Sequence, residues 1–291
     1  MKLKKLFTLI ALAGLVLLMA GYFIFFLPGT ARAQDAPKAK ETKKSIDPDA
    51  DRIFRSACKY LTGTKGFCVK AEVWEDVVLE TGQKIQTTKT MELQMLRPSS
   101  IHIEAKSPRK SQGFWYDGKT FTLLDRVNNF YGVLDTPNTV EKCIDYIEDR
   151  FGILLPLADI VVADPYTSAM ENVITGDYLG KVTVLGVVCD HLSFTGANGD
   201  WQLWIAEGAK PLLKKIVINL KYMVGSPQYT AILSDWDLQI NISDAVFTFV
   251  PPEGATKIDV KPMETEEKAK TEPADESPAS GKKPADEPKG K

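Results

Sequence analysis

The sequence predicts an α+β fold in which a long, strongly curved antiparallel β-sheet wraps over a few helices. Three observations predict it. Apolar residues alternate with polar ones in strand after strand between Phe67 and Val250. A capped amphipathic helix precedes that run, and a second one interrupts it. Asp117-Gly118, with Phe114-Trp115-Tyr116 before it and Phe121 to Leu124 after it, is a hairpin turn signal.

The chain begins with Lys2, Lys4 and Lys5, followed by an uncharged, largely apolar run from Leu6 to Leu27, Pro28 and then Ala31-Arg32-Ala33. A basic head, an apolar core and a small-x-small exit describe an export signal cleaved after Ala33. The run exceeds the roughly 7–15 residues of an ordinary signal core and reaches the about 20 that span a bilayer. The alternative is therefore a retained inner-membrane anchor with its positive end in the cytoplasm, which would associate the protein with the membrane through its N-terminus. Either way the body of the protein is expected in the periplasm.

Gln34 to Ser45 is polar and lysine-rich, with too little apolar surface to fold. From Asp259 onward the chain is dominated by Lys, Glu, Pro and Ala and has no aromatic residue. The expected organisation is a signal or anchor over 1–33, a polar linker over 34–46, one folded domain over 47–258 and a disordered low-complexity tail over 259–291. A formal net charge of −2 gives no basic footprint, so no nucleic-acid partner is expected.

Within the domain, Asp47-Pro48 starts a helix with Ile53, Phe54, Ala57 and Leu61 as its stripe, ended by Gly63 and Gly66. Phe67, Val69, Ala71 and Val73 then share one strand face; Met91, Leu93 and Met95, and Ile101 and Ile103, do the same in the next two strands. A second helix is expected from Asn138, with Asn138 as cap, Glu141 reaching back to it, and Val140, Cys143, Ile144, Ile147 and Phe151 at a 3.6-residue period. Gly152 ends it, and a short helix is expected within Leu154 to Val162. Further strands are expected around Val182–Val188, Cys189–Phe194, Trp201–Ala206, Lys214–Lys221, Tyr229–Leu238 and Ala245–Val250.

Four cysteines, Cys58, Cys68, Cys143 and Cys189, permit two disulfides in three connectivities in an exported chain. Cys58 and Cys68 flank a Gly-containing turn, which would leave Cys143 for Cys189; the alternative is free buried thiols. No C-x-x-C pair is present to suggest redox chemistry or zinc.

Catalysis has little to work with. The two histidines are His102 and His191, and no nucleophile elbow, zinc-protease helix, P-loop or dinucleotide fingerprint occurs. His191 and Ser193 share a strand face but stand roughly 6.5–7 Å apart by strand geometry, too far for a nucleophile–base hydrogen bond. His191 is read as a satisfied buried histidine and His102 as solvent-facing. Asp235 and Asp237, on one face around Trp236, have a metal-pair spacing but are read as solvated charges at a strand end. No enzyme, metal or cofactor is expected.

The aromatic residues are more informative. Trp74, Trp115, Trp201, Trp204 and Trp236 all fall in or beside strands, and Trp201 and Trp204 face opposite ways in an ideal strand. A curved sheet lined by Trp, Met and aliphatic residues leaves a concave apolar space, the usual form of a site for an acyl chain. Trp74, Leu93, Met95, Trp115, Phe121 and Trp204 are the candidate lining residues.

Several stretches resemble an uncharacterised bacterial family of predicted periplasmic proteins. They are Cys189-Asp190-His191-Leu192-Ser193-Phe194, Asp200-Trp201-Gln202-Leu203-Trp204-Ile205, Lys210-Pro211, Ile216-Val217-Ile218, Trp115-Tyr116-Asp117-Gly118, Tyr229 to Trp236, and Ile242-Ser243-Asp244 running into Phe249-Val250-Pro251-Pro252-Glu253-Gly254-Ala255. The resemblance covers most of the folded part. It implies the half-barrel fold shared by the lipoprotein carriers LolA and LolB and by RseB-like periplasmic sensors. That fold is an eleven-stranded antiparallel sheet curved over a few helices, with an apolar cavity between them. No catalytic or ligand residue of the carriers matches a position here. The expectation is an exported, non-enzymatic LolA-like domain that binds a lipid, a lipoprotein acyl chain or another apolar ligand. The alternative is an envelope sensor or scaffold for a protein partner.

Overall fold

The structure is a computed structural model and describes residues 44–263 apart from 154, 156 and 240. The expected signal and most of the tether, and residues 264–291 of the expected tail, lie outside the described residues. No helix among the described residues is long and apolar enough to cross a membrane.

Asp47 accepts a 2.7 Å hydrogen bond from the Asp49 backbone N–H, and Pro48 occupies the first helical position, where its missing donor costs nothing. Helix α1 therefore starts there and runs over Pro48–Thr62, ending at Gly63. Ala50, Ile53, Phe54, Ala57, Cys58 and Leu61 recur at i, i+3 and i+4 and are all buried. The remaining helices are α2 (Val140–Phe151), α3 (Ala158–Val161) and α4 (Pro165–Met170).

One sheet contains every strand of the described residues, in the order β1-β8-β9-β10-β11-β12-β2-β3-β4-β5-β6-β7-β13. In chain order these are β1 (Ser45–Ile46), β2 (Gly66–Val78), β3 (Lys84–Leu96), β4 (Ser100–Lys106), β5 (Ser111–Tyr116), β6 (Thr120–Asp125) and β7 (Phe130–Asp135). They continue with β8 (Val173–Val184), β9 (Val187–Gly196), β10 (Gly199–Ala206), β11 (Leu213–Leu220), β12 (Gln228–Asp237) and β13 (Thr256–Lys257). The eleven strands β2 to β12 pair antiparallel throughout, and two-residue parallel strands cap the ends, β1 on β8 and β13 on β7. The sheet is thus large, curved and not closed. β1 covers only Thr175 and Gly176 of β8, and β13 only Phe130 and Tyr131 of β7.

Burial follows strand alternation. Leu233, Ala71, Met91 and Ala105 form one cross-strand row, and Val69, Leu93, Ile103 and Phe114 form another. Both rows join the stripe of α1 and Val140, Cys143, Ile144 and Ile147 of α2 in one apolar cluster. The Asp117-Gly118 turn forms as expected: Asp117 accepts from Lys119 N and Thr120 N at 2.8 and 2.7 Å, and Gly118 sits at φ 87°.

Several expectations shift. The cap of α2 is Thr139, not Asn138; its hydroxyl accepts from Lys142 N, and Glu141 reaches instead to the Ala163 N–H. The stretch Val182–Val188 straddles a hairpin whose turn residues, Leu185 and Gly186, lie at φ 47° and 76°. Ala245–Val250 is not a strand. Ser243 accepts from Ala245 N and opens a 3-10 helix over Asp244–Phe247.

Of the two alternatives for the cysteines, the structure has the free thiols. All four cysteines are free thiols. Cys58 lies on the inward stripe of α1, whereas Cys68 alternates with the inward Phe67 and Val69 and faces outward. Cys143 belongs to the inner cluster and Cys189 to a small outer one with Trp204 and Val217. The sheet separates both expected pairs.

A candidate apolar ligand cavity

Helix α1 packs over β8, β9 and β10, and α4 packs on α1 with α3 beside it. Between these helices and the sheet lies a cavity of about 90 Å³. At ~10–15 Å³ per water centre, that is room for about half a dozen waters, or a short piece of an acyl chain. Strand alternation supplies its floor: Trp201, Leu203 and Ile205 of β10 pair with or stand beside Ile218 and Ile216 of β11. The helical roof is Phe54, Ala57, Cys58 and Leu61 of α1, with Ile160 of α3 and Ala169 of α4; Pro211 to Leu213 close one end.

Aromatic rings stiffen the floor. Phe194 stacks on Trp201 with centroids 4.1 Å apart, and Phe54 meets Trp201 edge-on at 5.5 Å. Phe54 also contacts the ring of Tyr166 on α4 at 5.6 Å. The Tyr166 hydroxyl accepts from Arg55 Nη2 at 2.6 Å and donates to Asp51, both on α1. A polar latch at the surface therefore holds α4 over the cavity.

Two polar groups interrupt the lining. Asp159 of α3 lines the cavity, and burial pushes its carboxyl up to about 6, opposed only by its own backbone N–H. Trp201 is 4 % exposed, and its buried Nε1–H has no partner among the described residues. Burial also pushes the Cys58 thiol up to about 12, with the Asp164 charge adding to it, so Cys58 stays protonated and unreactive at neutral pH.

None of the six lining candidates borders this cavity. Leu93, Met95 and Phe121 are fully buried in the same apolar cluster. Trp74 is half-buried, beside Glu72, Thr88 and Lys106. Trp204 lies on the outer face, as the opposite facing of Trp201 and Trp204 requires, and packs with Cys189 and Val217. Trp115 alternates with the core residue Phe114 and meets Phe249 at 5.0 Å.

The histidines occupy the outer face with these tryptophans. His191 pairs across the strands with Trp204 and stacks on it at 4.2 Å, while its Nε2 meets Gln202 Oε1 at 2.9 Å. His102 pairs likewise with Trp115, stacking at 4.7 Å, and is held by Gln94 and Glu104; it is part-buried rather than solvent-facing. Asp235 lies within a bulge of β12, and Asp237 resumes the pairing after it. Asp235 pairs with Lys70, and Asp237 accepts from Gln239 N. Among the described residues, no group of three or more His, Cys, Asp or Glu side chains is placed to hold a metal.

Phe54, Ile216 and Ile218 were legible as apolar positions but not as cavity walls, because the roof depends on how α3 and α4 fold back over α1. Asp159 carried a signal: it is the one charged residue in the apolar stretch from Leu154 to Val162.

No curated protein matches the chain. Among solved structures, the chain is similar to the lipoprotein LppX of Mycobacterium tuberculosis, with 13% identity, 68% of this chain and 100% of that one covered, and a TM-score of 0.41. LprF of Mycobacterium bovis matches with 16% identity, 68% and 98% coverage, and a TM-score of 0.42. A LolA superfamily protein of Nitrosomonas europaea matches with 11% identity, 69% and 97% coverage, and a TM-score of 0.37. These likenesses are remote. The family is closer: residues 50–261 match the model described as predicted periplasmic protein (DUF2092), and the chain belongs to that family.

Proposed function

We propose that this chain is an exported, non-enzymatic binding protein that takes a lipid, a lipoprotein acyl chain or another apolar ligand between its helices and its sheet. In this reading 1–33 directs export to the periplasm, 34–46 is a linker, 47–258 is a single LolA-like domain and 259–291 is a solvated tail. The sheet acts as a half-barrel around the helices. The observation that carries the reading is the cavity floored by Trp201, Leu203, Ile216 and Ile218 and roofed by α1, α3 and α4. Such a site attracts hydrocarbon at ~0.8 kcal/mol per buried methylene.

The cavity as it stands accepts only part of an acyl chain, so loading requires α3 and α4 to swing away from α1. An expanded space would extend along the same apolar cluster toward Leu93, Met95 and Phe121. Ala57→Phe tests the assignment, because the added ring fills the cavity from α1. The variant should unfold cooperatively yet bind a fluorescent apolar probe at least ~10-fold more weakly; unchanged binding would place the ligand elsewhere.

A second reading, a sensor or scaffold for an envelope protein, draws on the hairpin of β8 and β9. Leu179, Val182, Leu185 and Val188 are all exposed there.

A further inference from the structure

An apolar cavity sets the tail of a ligand but not its head, and this cavity contains two groups that discriminate heads. The half-buried Asp159 carboxyl lines it and accepts only from its own backbone N–H. The Trp201 indole lines it as well, and its buried Nε1–H is unpartnered. The buried, unpartnered indole N–H costs free energy that a ligand can recover by supplying an acceptor.

The two groups ask for complementary things. A carboxylate accepts a hydrogen bond; an indole N–H only donates one. Hydroxyl groups suit both, because an O–H can donate to a carboxylate and its oxygen can accept from an indole N–H. A ligand carboxylate accepts from Trp201 but meets Asp159 as a like charge in a poorly solvated place. An ammonium pairs with Asp159 but offers nothing to the indole, and its own desolvation offsets the attraction.

We propose that Asp159 and Trp201, as polar groups of the cavity lining, select amphiphiles with a neutral hydroxyl head, such as long-chain alcohols or monoacylglycerols, over anionic fatty acids. This rests on the cavity being the ligand site and names the class of ligand it takes. Neither residue then acts as a catalyst; both position a head group.

The test is equilibrium binding of oleyl alcohol, monooleoylglycerol and oleate to the delipidated full chain at pH 8, where all three probes share one hydrocarbon tail. The two hydroxyl ligands should bind at least ~10-fold more tightly than oleate. Asp159→Asn keeps an acceptor and removes the charge, so it should bring oleate to within ~2-fold of the alcohol. Trp201→Phe keeps the ring and removes the N–H, and should weaken alcohol binding ~2–10-fold. Equal binding of oleate and alcohol by the unaltered chain overturns the selection while leaving the apolar site standing. Binding of none of the three overturns the ligand site itself. The comparison of probes on the unaltered chain decides the matter even if a variant does not fold.

Discussion

The Arg55 guanidinium of α1 lies 3.9 Å from the centroid of the Tyr166 ring of α4 and donates a 2.6 Å hydrogen bond to its hydroxyl. The same hydroxyl donates to Asp51 one turn back on α1. A ring stacked under a cation and bonded at its tip resists both sliding and lifting. Tyr166→Phe keeps the ring and loses the hydroxyl, so it should cost about 1 kcal/mol of stability and speed ligand release several-fold. Stopped-flow displacement of a bound apolar probe measures this; an unchanged release rate would mean that α4 does not gate the cavity.

Asp159 should make the domain less stable as pH rises. Its carboxyl ionises near 3.8 when unfolded and at about 6 when buried. Between those values the native state holds a proton that the unfolded state has lost. Stability therefore falls as pH rises from about 4 to about 6 and stays low above it. Asp159→Asn should stabilise the protein by roughly 2–3 kcal/mol at pH 8 and flatten that part of the profile. Urea unfolding of both proteins from pH 3.5 to 8 checks it; parallel curves would show that the carboxyl is solvated.

Glu104 should act in the opposite sense. Burial disfavours its charge, but hydrogen bonds from His102 and Arg126 outweigh that and hold its carboxyl at about 2, against 4.5 when unfolded. The group contributes stability above about 4.5, lost as pH falls toward 2. Glu104→Gln should cost on the order of 2 kcal/mol at pH 7 and much less at pH 2.5. Thermal unfolding across that range decides it, and an equal cost at both ends would rule out the charge as the cause.

The cysteines give a covalent check. With the sheet between Cys58 and Cys68 and between Cys143 and Cys189, the intact mass of the purified protein should show four thiols. Cys68 is half-buried and the other three are buried, so native alkylation should label Cys68 first. Burial pushes Cys143 up to about 11 and Cys58 to about 12, slowing both further. A mass lower by ~4 Da would reveal two bridges and contradict the packing of α1 and α2 on one face.

How much of this was legible depends on where each signal resides. Asp47-Pro48 and Asp117-Gly118 act through their own backbone neighbours, so α1 and the β5–β6 turn were readable directly. The β8–β9 turn was not, because Leu185 takes a positive φ with none of the usual Asn or Asp chemistry. The first half of β3, Lys84 to Thr90, is largely exposed and polar and shows no alternation to read. Alternation did place Trp201 and Trp204 on opposite faces. It could not show that Trp204 and Trp115 would be occupied by stacking on His191 and His102, which is a property of register. The cavity was out of reach for the same reason: it exists only where α3 and α4 meet α1 above β10 and β11.

Native mass spectrometry of the protein purified from its own envelope, with extraction and identification of whatever co-purifies, tests the central claim most directly. The account predicts a stoichiometric lipid or acylated species that Ala57→Phe no longer retains. A ligand-free mass for the unaltered chain, with no apolar probe able to enter, would contradict it.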